Sequence, residues 1–146
     1  MDLAAANAAS GAGGPFGAVI VRDGAIIAEG ANSVVRTADP TAHAEVVAIR
    51  NAASALGTHE LSGCTLFTSC EPCPMCLGAI LWARIDRVYF AATKSDAAAA
   101  GFDDSLFYEQ FGKPAGERIV PMLQQSVGDR VRPFREWQSF SGKVTY

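Results

Sequence analysis

Residues 69–78 read SCEPCPMCLG, and the three cysteines Cys70, Cys73 and Cys76 follow one another as C-x-x-C-x-x-C with prolines between them. Several chemistries use such a run, and the choice among them decides how the flanking chain must fold. A disulfide between neighbours such as Cys73 and Cys76 would tie little of the chain together. A bacterial iron–sulfur run carries a fourth cysteine, followed by proline, four positions after the third. That position is Ile80 here, and the remaining cysteine, Cys64, falls inside the apolar segment CTLFTS (64–69).

Zinc has a partner upstream, in PTAHAEVVAI (40–49). Asp39-Pro40 reads as a helix start, with Asp39 as N-cap and Pro40 at the first helical position. On that reading His43 lies in the first turn. Pro74 opens a second helix, PMCLGAILWAR (74–84), with Cys73 at its cap and Cys76 three positions on. Residues three apart share a helix face, so two thiolates converge on one ion. Helix N-termini favour anions, which helps both thiols ionise. One His and two Cys leave the fourth tetrahedral position open, the mark of a catalytic zinc, whose bound water ionises near neutral pH. Glu45, two residues from His43, does not share its helix face but in a first turn reaches that water to shuttle protons. His43-Ala44-Glu45 and Pro72-Cys73-Pro74-Met75-Cys76 together make the H-x-E … P-C-x-x-C signature of the zinc deaminases. Cys70 is left over at a strand end.

Outward from these motifs, FGAVIVR (16–22) and AIIAEGAN (25–32) read as strands joined at Asp23-Gly24, a hairpin turn pair. Residues 6–15 are a short helix end running into a glycine loop, and 32–41 a loop. The helix after Asp39-Pro40 packs Ala44, Val47, Ala48 and Leu56 along one face and stops at Gly57. CTLFTS and RVYFAA (87–92) are further strands, and AAAAG (97–101) is a small-residue connector. SLFYEQF (105–111) and PFREWQSF (133–140) read as helices, and ERIVPML (117–123) as a strand. A hairpin followed by alternating helices and strands gives an α/β domain, a mixed sheet with helices on both faces, spanning residues 1–146 as a single unit.

Of the 146 residues, 49% are apolar and 18% charged, an ordinary globular balance with enough chain for one core. No apolar run reaches the roughly 18 residues of a membrane span, and MDLAAANAAS lacks the basic start and apolar stretch of a signal peptide. A cytoplasmic location is expected, where clustered cysteines serve metals or catalysis before disulfides. The net charge of −3 and the absence of a basic tract argue for a small substrate over nucleic-acid phosphates.

At GGPFGAVIVRDGAIIAEGAN, DPTAHAEVVAIR, TSCEPCPMCLGAI, DAAAAGFDDSLFY and the ending KVTY, the chain resembles the cytidine-deaminase-like superfamily, and within it the small bacterial guanine deaminases. The resemblance covers most of the chain. It implies a three-layer α/β/α fold on a five-stranded mixed sheet, one Zn2+ per subunit held by His43, Cys73 and Cys76, and a homodimer with exchanged C-terminal segments. The implied reaction is hydrolysis of guanine to xanthine and ammonia, with Glu45 as the catalytic proton shuttle and the Ala44 backbone amide beside the reacting centre. The resemblance also makes Asn32 a base-binding amide, Phe16 and Trp82 walls of the base pocket, Asp104 of GFDD a contact to the guanine edge, and Tyr146 a lid. By residue type alone, Asn32 is a turn former, Phe16 and Trp82 are core aromatics, and the Asp103-Asp104 pair is a helix cap.

Two alternatives stand beside this reading. One is a deaminase of another base or nucleoside, such as tRNA adenosine, cytosine or cytidine, since TAHAE and P-C-x-M-C serve there too. The other is a closed structural zinc module in which Cys70 supplies a fourth ligand.

Overall fold

The computed structural model describes residues 1–145, so the lid expectation for Tyr146 lies outside the described residues. The chain divides into two units, Met1–Ser105 and Leu106–Tyr146.

The first unit is built on a four-stranded sheet: β1 (Gly17–Arg22), β2 (Ala25–Ala31), β3 (Cys64–Cys70) and β4 (Arg87–Ala92), in spatial order β2-β1-β3-β4. β1 runs antiparallel to both its neighbours, and β3 pairs parallel with β4. The β1–β2 turn has positive φ at Asp23 and Gly24 (51° and 78°), the pairing that lets two residues reverse a twisted hairpin. The parallel β3–β4 pair needs a crossover, and α4 (Pro74–Trp82) provides it. It begins four residues after β3 ends, so the cysteine run sits at the carboxyl end of a sheet strand.

Alternation along the strands sends Ala18, Ile20 and Leu66 to one face, where they form a core with Ala44, Ala48 and Ala52 of α3 (Ala44–Leu56) and Ile80 of α4. Small residues on α3 let it lie close to the strands. The approach is tightest at Gly30, where a Cβ would collide with the Ala44 carbonyl oxygen and the Ala48 amide nitrogen. The other face carries Phe67 stacked on Tyr89 of the neighbouring strand (ring centroids 5.1 Å) and the short helix α1 (Asp2–Ala9), whose Ala4 backbone nitrogen crosses Gly17 at close range. Helices on both faces of a mixed sheet make the expected three layers, with four strands rather than five.

The structure corrects several element expectations. The helix expected at Asp39-Pro40 begins at Ala44, with His43 as N-cap. The Asp39 carboxylate accepts hydrogen bonds from the Thr41 N–H (2.8 Å) and hydroxyl (2.6 Å), and this local turn outcompetes helix initiation. Within the loop read at 32–41, Val34–Thr37 makes one helical turn, α2. Most of the expected connector at 97–101 belongs to α5 (Lys94–Ala99), opened by a Thr93/Asp96 capping box.

In the second unit, α6 (Ser105–Gly112, beginning in the first) and α7 (Arg132–Ser139) are the two expected helices. The strand expected at 117–123 is absent. Ala115–Glu117 forms a 3-10 turn, after which the chain is irregular. A strand needs a ladder, and here the Ile119 N–H donates to the Gln110 side chain and the Met122 N–H to the Ala115 carbonyl, while Pro121 has no N–H to give.

Candidate metal centre and active site

Two helix N-termini meet at the carboxyl end of β3. His43 and Cys73 are the N-caps of α3 and α4, both in extended backbone conformation (ψ 154° and 167°), and Cys76 lies one turn into α4 behind Pro74. A cap residue points its side chain past the helix end, so the two helices aim His43 and Cys73 at one point. His43 Nδ1 lies 3.6 Å from Cys73 Sγ and 3.5 Å from Cys76 Sγ. All three donor atoms fall within 4.8 Å of one another. Bond lengths of about 2.05 Å to nitrogen and 2.3 Å to sulfur around a tetrahedral zinc put N and S about 3.6 Å apart. The two N···S separations therefore match the edge of a zinc tetrahedron, and the N/S composition of the donors suits that ion. Among the described residues they are the one such group of three.

The electrostatics agree. The Cys73 thiol is lowered to about 4, first by the hydrogen bond it accepts from Cys76 and then by His43. Cys76 is raised, because Cys73 takes that hydrogen bond only while Cys76 keeps its proton. A metal ion bound there would take both sulfurs as thiolates. His43 is raised by its hydrogen bond to Cys73.

Glu45, the second residue of α3, is 6% exposed. It accepts from Thr68 Oγ1 of β3 (3.4 Å), and its Oε2 lies 3.5 Å from Cys76 Sγ. Burial pushes its carboxyl up, the direction that suits a group which must both take and return a proton. Thr68 is a residue the sequence reading missed. Nothing in its type marks it, and only the β3 register brings it under Glu45.

Cys70 turns away from this cluster and donates to the Thr93 carbonyl (3.6 Å). A fourth thiolate is therefore not supplied from there, and the closed-site alternative loses its ligand.

The expected substrate residues are placed as follows. Ala44 is fully buried at the first helical position of α3, where a backbone N–H has no intrahelical acceptor. Asn32 is buried just past β2; its N–H donates to the Phe16 carbonyl (3.0 Å), and its Oδ1 accepts from the Gly14 N–H (3.2 Å). Phe16 packs edge-on against Phe102 (4.9 Å, 87°). Asp103 caps α6 by accepting from the Ser105 N–H (2.9 Å). Asp104 is half-buried, and its carboxyl is pushed up by burial first and then by the charge of Cys73. Trp82 is not brought to the ligands. It ends α4 six residues beyond Cys76 and is 65% exposed.

The model of the cytidine and deoxycytidylate deaminase zinc-binding region matches residues 1–92. The chain belongs to this family. Within the deaminases it is similar to the guanine deaminase of Bacillus subtilis, 56% identical over 146 residues, which are all of this chain and 94% of that one. The crystal structure of that protein superposes with a TM-score of 0.97 over 99% of this chain and 92% of that chain. The tRNA-specific adenosine deaminase of Bacillus subtilis is 36% identical over 82% of this chain and 74% of its own length. A guanine deaminase structure from Nitrosomonas europaea is 40% identical, with a TM-score of 0.67 over 71% of this chain and 60% of that chain. In this zinc-binding family member, His43, Cys73 and Cys76 are positioned to bind the metal ion.

Proposed function

We propose that this deaminase hydrolyses guanine to xanthine and ammonia. The observation that carries the reading is a likeness to a guanine deaminase that runs the full length of the chain. It therefore includes the region of Gly101-Phe102-Asp103-Asp104, which lies beyond the shared zinc-binding region.

Zinc held by His43, Cys73 and Cys76 supplies a Lewis acid that makes water a nucleophile at neutral pH. The protein's own groups do the rest. Glu45 takes a proton from the attacking water, delivers one to a ring nitrogen, and helps the amine leave as ammonia. Water's oxygen becomes the new carbonyl at C2. Thr68 and the burial around α3 keep the Glu45 carboxyl aimed and dry. The amide of Asn32 and the carboxyl of Asp104 hold the edges of the base, and Phe16 offers a ring to stack on. The resemblance adds Tyr146 as a lid, while Trp82, at the exposed end of α4, is left out of the site.

The active form is a homodimer with exchanged C-terminal segments, working in the cytoplasm in purine metabolism. Exposed apolar side chains support the partner: Phe111, Val120, Leu123 and Phe134 of the second unit are 67%, 75%, 81% and 68% exposed, more than one chain leaves in water without use. The net charge of −3 favours a free base over tRNA.

The test is ammonia release from guanine by zinc-quantified protein, with Glu45→Ala in parallel and tRNA as a control substrate. Release by the wild type alone supports the reading. No release from zinc-loaded protein rejects guanine. Light scattering that finds a monomer rejects the exchanged dimer.

A further inference from the structure

Asn7, near the end of α1, donates two hydrogen bonds from one nitrogen. Its Nδ2 lies 2.8 Å from the Gly14 carbonyl and 2.8 Å from the Asn32 carbonyl. Both partners are acceptors, so the orientation of this amide is forced. Gly14 then donates its own N–H to Asn32 Oδ1 (3.2 Å). The three residues close a ring that spans 25 positions of chain between Asn7 and Asn32. Because a backbone N–H occupies Asn32 Oδ1, the orientation of the second amide is forced as well, and Asn32 presents its NH2 group away from the ring.

Gly13 carries an independent mark of the same contact. A Cβ there would collide with the Asn32 carbonyl oxygen and come within 2.9 Å of Asn7 Nδ2. The glycine loop is therefore shaped to let α1 reach the Asn32 backbone.

We infer that Asn7 is a positioning residue for Asn32: through Gly14 it fixes the direction of the Asn32 amide and so presents a donor, not an acceptor, to the base. Guanine's N7 and O6 are acceptors of the kind such a donor meets. The inference rests on the proposed base-binding role of Asn32.

A double-mutant cycle tests it, with KM and kcat for guanine and xanthine binding by calorimetry measured on zinc-loaded Asn7→Ala, Asn32→Ala and the double variant. Loss of the ordered donor is expected to raise KM about tenfold, with kcat changed less than about twofold. In the Asn32→Ala background the Asn7 substitution should move KM by less than about twofold. Gly13→Ala pushes on the same carbonyl without removing a hydrogen-bonding group and should reproduce the KM shift, should Asn7→Ala fail to fold. Additive effects, or a lowered melting temperature with KM unchanged, overturn the inference. If Asn32→Ala raises KM and Asn7→Ala does not, the inference alone falls. If Asn32→Ala leaves KM unchanged, the base-binding role of Asn32 falls and takes the inference with it.

Discussion

Thr68 Oγ1 of β3 donates to Glu45 Oε1 of α3 across 3.4 Å, so the Glu45 carboxylate is anchored to the sheet as well as to its own helix. The contact is long for a hydroxyl donor, and its removal should cost little beyond aim. Thr68→Val is expected to lower kcat about fivefold with KM unchanged, whereas Glu45→Gln should lower it by about 10³. Steady-state kinetics on guanine distinguish the two.

Three protein donors, His43, Cys73 and Cys76, would hold the zinc. Dialysis against a chelator should abolish turnover, and stoichiometric zinc should restore it. Cys73→Ser and Cys76→Ser should fall well below one zinc per chain. Cys70→Ser, whose thiol faces the Thr93 carbonyl, should keep one. Metal analysis by mass spectrometry reads all three, and loss of zinc from Cys70→Ser would contradict the open site.

Gly30→Ala should be among the more damaging single substitutions in the first unit. Its Cβ meets backbone atoms of Ala44 and Ala48, which cannot swing aside as a side chain can. Overpacking of this kind costs about 3 kcal/mol, and the shift would move the very turn that presents His43 and Glu45. Urea unfolding should show the lower midpoint, and the same sample should bind zinc more weakly.

Asp39 makes stability depend on acid. Its carboxyl is held below the ordinary Asp range, first by the Thr41 hydroxyl, then by the Thr41 N–H and by Arg50. The native turn therefore binds fewer protons than the unfolded chain, and its contribution is full above the unfolded pKa of about 3.9. It is lost as pH falls through the lowered native value. Asp39→Asn should flatten the acid limb of the urea midpoint plotted against pH, and parallel limbs would show that the turn contributes nothing.

The zinc centre was legible because its chemistry is written in residue type at short spacing. Each half, His43-Ala44-Glu45 and Cys73-Pro74-Met75-Cys76, stands at a helix start with its own spacing, and the two halves are joined by the recognised signature they make together rather than by proximity in the chain. The β1–β2 hairpin was legible for the same reason, since Asp23-Gly24 specifies its own turn. The start of α3 was misplaced because Asp39 serves equally as a helix cap and as the acceptor of a tight turn, and Thr41 decided between them. The 117–123 strand failed because apolar pattern without a neighbouring strand specifies nothing. Thr68 and Asn7 were invisible because their partners, Glu45 and Asn32, lie 23 and 25 positions away.

His43 and Cys73 are 30 positions apart in the chain, and between them run the whole of α3 and β3. An ion bonded to both would act as a removable crosslink on that loop. Closing a loop of this length restricts the unfolded chain by about 4 kcal/mol in the chain-entropy account of crosslinks. The same ion that would serve the chemistry would thus help decide whether the helix and strand beneath it stay folded, and supply of the metal would control how long the protein survives as well as how fast it works.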